Sequence, residues 1–364
     1  VGERFEVVVG AVAHGGHCVA RLPPVVADGA ENASRDRVVF VRHALPGERV
    51  IVLITEGSDG DSFWRGDAVS VVRPSPDRVP APCPYAGPDL CGGCDFQHVA
   101  PAAQRSLKAA VVHEQLSRLA RIEREVVVEE VPPLLRWRSR MRYVALPGGA
   151  RGLHVHRSSE VVEVADCLID AGTPSRDVET VETSAGTRSF HADPDGFWQS
   201  HLEGPRVLVE TVLSMVGPRP GEKVLDLYAG VGLFAAFLAD AVGPSGHVVA
   251  VEGSRLACRD ARENVPAWAR VEHGPVDRVL ASAYDEPFDI VVLDPPREGA
   301  RRKVVTQIVD RAPRAVAYVA CDPAALARDV ATFAELGYDL GDLRAFDLFP
   351  MTHHVECVAL LEPR

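Results

Sequence analysis

Residues 223–237, KVLDLYAGVGLFAAF, constrain the fold of this chain more than any other stretch. An apolar run ending in Asp226-Leu227, then a glycine-rich turn, then an apolar segment of helical length predict a buried parallel strand, a loop and a helix. Gly230 and Gly232 lack the Cβ atoms that would hold the backbone off a ligand, and a helix from about Leu233 presents free N–H groups there. A turn of this kind binds a cofactor. Because Gly230, Gly232 and Ala235 also satisfy the loose G-x-G-x-x-G/A pattern, the loop alone leaves a nicotinamide dinucleotide open. Two carboxylates weigh toward S-adenosylmethionine. Asp226 at the strand end suits an amino-acid ammonium, and Glu252, closing the next strand, suits the two hydroxyls of a ribose.

Downstream, strands are expected at 223–228, 247–252, 288–294 and 314–320 with helical segments between them, the alternation of a doubly wound α/β sheet. The runs 343–348 and 355–361 are joined by too few residues for a crossover helix, which predicts an antiparallel hairpin at the sheet edge. A parallel sheet with that ending looks like a Rossmann-like methyltransferase, whereas the last strand of most dehydrogenases is parallel.

At 364 residues the chain exceeds one ordinary domain. Three are expected: an OB-like β-barrel at 1–75, a small α+β central domain at 76–190 and the methyltransferase domain at 191–364. The barrel rests on short β-rich runs at 5–9, 38–41, 49–55 and 67–72, with a loop at 23–36. The pieces GGHCVARL and ALPGERVIV resemble the TRAM domain attached to many RNA-modifying enzymes. With 46% hydrophobic and 25% charged residues, no apolar run long enough to span a bilayer and no secretory signal, a cytoplasmic protein without a membrane partner is the expectation.

Cys83, Cys91 and Cys94 form C-x7-C-x2-C, with Gly92-Gly93 between the last two, and Cys167 in VADCLID supplies a fourth thiol. Spacing leaves an iron–sulfur cluster and a four-thiolate zinc equally open. The net charge of −12 opposes a generally nucleic-acid-coating protein, yet residues 101–157 hold 11 Lys and Arg against 5 Asp and Glu. Within that basic stretch 101–124 has the spacing of an amphipathic helix. In LRWRSRMRYVAL, Arg136, Arg138, Arg140 and Arg142 recur at every second residue, so a strand would project all four from one face toward phosphates.

Chemistry concentrates at two further strand ends. FDIVVLDPPREGA places Asp294 before two prolines that restrict the turn, and Arg297 stands where an amine-directed methyltransferase carries an aromatic residue. AVAYVA runs into Cys321-Asp322-Pro323, where a thiol at a strand tip is placed as a nucleophile. Methylation at carbon 5 of a pyrimidine explains the need for a thiol, since carbon 5 is not nucleophilic until a group adds at carbon 6. A base must then remove the carbon 5 proton, and Glu356 in PMTHHVECVALL suits that role, with His353 and His354 as neighbours that either tune it or serve as packing residues.

Taken together, the cysteine set, FWQ, DLYAGVGLF, DPPREG, YVACDPAALARD and P-x-T-x-H-x-E resemble the uracil-5 RNA methyltransferases over nearly the whole chain. The resemblance implies S-adenosylmethionine as methyl donor, Cys321 as nucleophile, Glu356 as base, and Gln199, Tyr228, Glu252 and Asp294 as contacts to cofactor or substrate. It implies a [4Fe-4S] cluster on Cys83, Cys91, Cys94 and Cys167. A TRAM domain plus cluster is similar to the branch acting on 23S ribosomal RNA, with transfer RNA as the other candidate partner, and the enzyme is expected to act as a monomer. Two positions depart from the pattern: Leu233 stands where many members are polar, and the Cys83–Cys91 gap is longer than that of the ribosomal-RNA branch. The competing readings are an amine-directed methyltransferase, a non-catalytic RNA-binding protein and a nicotinamide enzyme.

Overall fold

The computed structural model describes residues 1–22, 37–58, 60–172 and 177–364. The loop expected at 23–36 lies outside the described residues. The chain forms two compact units, one of Val1–Val111, Arg142–Ile169 and Pro350–His354, the other of Val112–Met141, Asp170–Phe349 and Val355–Arg364.

The first unit begins with five strands, Arg4–Val8, Cys18–Leu22, Arg37–Arg42, Arg49–Glu56 and Phe63–Arg73, in the sheet order first, fourth, fifth, third, second. Inward residues alternate along the third and fourth strands, so Val39, Val41, Val50, Val52 and Ile54 meet in one core while their neighbours are less buried. The sheet curls on itself. Gly10 donates to the Val19 carbonyl at 2.7 Å and Val19 to Ala11 at 2.9 Å, linking the end of the first strand to the second. The core carboxylate Glu48 accepts from the amides of Leu45 and Ser75 and from Arg78, contacts that outweigh its burial and keep the carboxyl below its ordinary value. A three-stranded antiparallel meander, Val144–Ala145, Arg151–His154 and Val161–Glu163, completes the described sheets of this unit.

In the second unit eight strands form one sheet, ordered Arg270–His273, His247–Glu252, Lys223–Leu227, Ile290–Leu293, Ala315–Ala320, Glu356–Pro363, Tyr338–Asp347 and Val128–Glu130. The first five are mutually parallel, and Glu356–Pro363 runs antiparallel to both of its neighbours, so the terminal hairpin is present. Val128–Glu130 and Arg270–His273 add edge strands that the apolar pattern does not reveal, because each is short and carries charge. The helix Leu233–Val242 is buried over almost its whole length, and each of Leu233, Phe234, Phe237 and Leu238 contributes about 1.5–3 kcal/mol relative to exposure.

Two expectations are corrected. The amphipathic helix expected over 101–124 is α-helical only over Pro101–Gln115, continues as one wider π-helical turn, Leu116–Ala120, and stops at Arg121, whose φ of 56° is left-handed. The arginine strand does not form. Residues 136–142 are irregular, and Arg136 itself has a φ of 60°. Trp137 is fully buried and stacks on His201, while Arg138 turns its Nε onto the carbonyl of Arg140 at 3.2 Å. Arg140 donates to the carbonyls of Ala192, Asp193 and Gly196 at 2.9–3.1 Å. Alternation produces a shared face only on extended backbone; here the guanidinium of Arg140 is consumed by a turn inside the same unit. Among the described residues no helix is long and apolar enough to cross a membrane.

Candidate active site

The order of the parallel strands reverses between Lys223–Leu227 and Ile290–Leu293, and open α/β sheets bind ligands beyond the carboxyl ends at such a reversal. Asp226 and Tyr228 stand on one side of it and Asp294 on the other, with the Asp294 amide donating to the Leu227 carbonyl at 3.2 Å. Asp226 is fully buried. Its Oδ2 accepts from the Ala235 amide at 2.8 Å, whereas its Oδ1 has no partner. Burial, with Asp294 and Glu252 adding repulsion, pushes this carboxyl up to about 8. Glu252 holds the glycine turn from the neighbouring strand: one carboxylate oxygen accepts from Gly230 at 2.8 Å and the other from Ser254 at 2.7 Å. Gly232 has a φ of 84°, and Tyr228 holds a φ of 60° that few non-glycine residues adopt.

A second group follows from strand register. Ala320 pairs with Cys357 across the antiparallel ladder, so the next step of that register sets Cys321 opposite Glu356. Gln199 donates its Nε2 to Asp294 Oδ2 at 3.3 Å, joining the FWQ segment to the DPP turn. Glu356 is buried with its Oε1 unpartnered; burial, reinforced by Asp294, pushes its carboxyl well up, and burial also raises Asp294. Cys321 is pushed up to about 12 by burial and then by Glu356 and Asp294, while Arg297 works in the opposite direction. A thiol and two carboxyls all resist ionisation in one place, the arrangement expected where a nucleophile and an acid–base group act in sequence. Asp322 is a helix cap, its Oδ1 accepting from Ala325 at 2.8 Å.

Several residues that hold the site escape the sequence reading. Ser139 donates its amide to the Ser200 carbonyl at 2.8 Å and Leu202 donates to Trp137 at 3.0 Å, so 137–140 with Arg140 forms the support for the segment bearing Gln199. Asn264 donates to the carbonyls of Val231 and His191, bracing the glycine turn. Asp329 anchors the loop after Asp294 through the amides of Ala300 and Arg301. Its signal was available: an Asp among Ala325, Leu326, Val330 and Phe333 lies on the apolar face of its helix.

The predicted metal ligands lie apart from these residues in sequence and share a neighbourhood within the first unit. Burial raises the thiols of Cys83, Cys91 and Cys94, and each is raised further by the others or by Cys167. Among the described residues no group of three or more His, Cys, Asp or Glu is arranged to hold a metal ion. His353, expected to tune Glu356, is engaged by Asp95 in its own unit, Nδ1 to Oδ2 at 2.6 Å, and the shift of Glu356 is accounted for by burial and Asp294. Burial opposes ionisation of Asp95, but these bonds from His353 hold its carboxyl well below the usual range.

Residues 278–364 match the tRNA (Uracil-5-)-methyltransferase family, 188–318 a methyltransferase small domain and 1–67 the TRAM domain. An uncharacterized RNA methyltransferase of Streptomyces avermitilis is 42% identical over all of this chain and 99% of its own length. A 23S rRNA (uracil(1939)-C(5))-methyltransferase, RlmD, of Thiobacillus denitrificans is 29% identical over 96% of this chain and 97% of its own. In fold, the chain is similar to the Pyrococcus abyssi tRNA (uracil-54, C5)-methyltransferase solved with S-adenosyl-L-homocysteine, with a TM-score of 0.69, 21% identity, and 98% and 100% of the two chains covered. The matches at both ends of the chain, together with relatives aligned along its whole length, make it a member of the RNA (uracil-5-)-methyltransferase family that carries a TRAM domain.

Proposed function

We propose that this protein transfers a methyl group from S-adenosylmethionine to carbon 5 of a uridine in RNA, with 23S ribosomal RNA as the substrate, through a covalent adduct on Cys321. The observation that carries the reading is the register that sets Cys321 opposite Glu356, with Asp294 and Gln199 joined at the neighbouring strand tip. The ribosomal assignment draws on the full-length similarity to the Thiobacillus denitrificans enzyme.

Residues at the order reversal fit the cofactor. The unpartnered, buried Oδ1 of Asp226 suits an ammonium, Glu252 keeps lone pairs for ribose hydroxyls, and Gly230 has open space where a Cβ would stand. S-adenosylmethionine supplies an electrophilic methyl group on a sulfonium. Tyr228, Gly230 and Gly232 shape its seat, and Gln199 with Asp294 orients the base. The Cys321 thiol gives up its proton to water and its sulfur bonds to carbon 6, the electron pair of the C5–C6 double bond shifting to make the ring an enolate nucleophilic at carbon 5. After methylation the carboxylate of Glu356 takes the carbon 5 proton, the C–S bond breaks, and the sulfur leaves with the bonding pair to be reprotonated. A carboxyl raised by burial is suited to accept that proton.

The order of these bond changes gives the test, a denaturing gel of each variant with labelled RNA and cofactor. Cys321→Ala is expected to give neither methylation nor adduct, while Glu356→Gln gives a stable adduct that does not turn over. Methylation by Cys321→Ala would overturn the uracil-5 mechanism. Normal turnover by Glu356→Gln would move the base to Asp294.

The thiols of Cys83, Cys91, Cys94 and Cys167 suit a [4Fe-4S] cluster by donor chemistry and shared neighbourhood, and metal would reverse the resistance of Cys83, Cys91 and Cys94 to ionisation. Protein purified without air is expected to be brown and to contain iron and sulfide; stoichiometric zinc without iron would assign the four thiolates to zinc.

A further inference from the structure

The loop that follows Asp294 has an unusual shape. Gly299 donates to the Pro296 carbonyl at 2.8 Å, closing a tight turn around Arg297 and Glu298. Gly299 then has a φ of 82° and Arg301 a φ of 66°, so two left-handed residues stand within three positions, one of them with a full side chain. Backbone of this kind persists only where its surroundings hold it.

Here the support is a single buried carboxylate. Asp329, only 4% exposed, accepts from the Ala300 amide at 2.7 Å, from the Arg301 amide at 3.2 Å and from the Tyr318 hydroxyl at 2.7 Å. Tyr318 is fully buried, and its oxygen in turn accepts from Ala300 at 3.2 Å. A Cβ at Gly299 would lie 2.6 Å from Asp329 Oδ2, so the turn and the carboxylate are fitted to each other.

The placement of these partners connects them to the chemistry. Tyr318 lies on the strand Ala315–Ala320, which ends one residue before Cys321, and Asp329 lies on the helix Pro323–Glu335, which starts two residues after it. The anchored loop carries Asp294 at its start and Arg297 at its tip. Burial opposes ionisation of the thiol most, Glu356, Asp294 and Asp322 add to it, and Arg297 works in the opposite direction.

We propose that Asp329, with Tyr318, is a positioning residue of the methyltransferase site: it locks the 294–301 loop to the strand and helix that flank Cys321, and so fixes where Arg297, at the loop's tip, stands relative to that residue. The inference rests on the proposed role of Cys321 for its biological meaning. Its test does not, because thiol reactivity is read without RNA or methyl transfer. Alkylation of Cys321 by iodoacetamide is followed against pH by mass mapping of its peptide, in the full-length protein. Arg297→Ala and Asp329→Asn are each expected to slow alkylation near pH 8 by about three- to tenfold and to move its midpoint to higher pH, since each pKa unit is a tenfold change in thiolate. The double variant is expected to be no slower than Arg297→Ala alone, because the carboxylate acts through the arginine. Tyr318→Phe, which keeps the ring and loses one hydrogen bond, gives a smaller shift in the same direction and reads the same anchor if Asp329→Asn does not fold. A wild-type pH profile in a folded Asp329→Asn or Tyr318→Phe protein, or additive effects in the double variant, would overturn the proposal. Methylation by Cys321→Ala would overturn the proposed function and leave this result standing.

Discussion

Periodicity places both the strand-tip residues Asp226, Asp294 and Cys321 and the arginines at 136, 138 and 140, and the structure treats the two groups differently. Asp294 and Cys321 directly follow buried parallel strands and Asp226 is the penultimate residue of one, so the backbone state is determined and each lies at the ligand-binding edge. The arginines alternate with Trp, Ser and Met in a segment with no apolar run, and the chain there folds as a support. Arg140 binds three carbonyls of the turn that precedes Gln199. A spacing argument transfers to three dimensions only when something else has already settled the backbone.

The largest effect that separates the two groups comes from Arg140→Gln. Carbonyls of Ala192, Asp193 and Gly196 would lose their donor, at a cost of about 1–3 kcal/mol, and the Gln199 segment would lose its brace. Thermal unfolding is expected earlier, and turnover slower by up to about 10²-fold through misplacement of Gln199. RNA affinity and its dependence on salt should be unchanged. A normally stable, normally active Arg140→Gln protein with weakened RNA binding would restore the phosphate-face reading.

A smaller effect tests the strand-tip group. Asp226 is ordinary in the unfolded chain and raised to about 8 in the folded one, so between those values the native state binds the extra proton. Its contribution to stability is complete below the unfolded value and is lost as pH rises toward about 8. Urea unfolding of the ligand-free protein is therefore expected to show stability falling from pH 6 to 8.5, with a shallower fall in Asp226→Asn. If the ionised carboxylate receives the cofactor ammonium, S-adenosylhomocysteine should bind more tightly as pH rises over this range, by at most about tenfold per unit. Identical slopes for wild type and Asp226→Asn would remove Asp226 from the titration.

Most of the candidate site is legible in the chain because its members end self-identifying strands or lie in a dense run such as DPPREG or P-x-T-x-H-x-E. Opposition of Cys321 and Glu356 is not legible, since it depends on antiparallel register, which only the paired strands specify. The supports are less legible still. Asn264, Arg140 and Asp329 act through backbone amides and carbonyls of segments remote in sequence, and such bonds leave no periodic trace. The barrel strand Cys18–Leu22 was covered by the TRAM-like piece GGHCVARL but absent from the β-rich runs, because Arg21 and the flanking glycines dilute its apolar pattern.

The smallest effect completes the comparison inside the arginine set. Arg142 is exposed, unlike Arg138 and Arg140, whose guanidinium groups reach backbone carbonyls. A phosphate contact releases counterions and steepens the salt dependence of binding, by about 0.7–0.9 in log–log slope for each contact. A backbone clamp releases none. Filter binding of RNA across a salt series should therefore give Arg142→Gln a slope shallower by about that amount, while Arg138→Gln matches wild type in slope even if its affinity drops through destabilisation. The slope distinguishes the two roles where affinity alone does not, because a partly unfolded population lowers apparent binding equally at every salt concentration. Equal slopes for wild type and Arg142→Gln would leave the basic stretch without a phosphate contact at this position, and a flattened slope in Arg138→Gln would show that its guanidinium exchanges a carbonyl for RNA on binding.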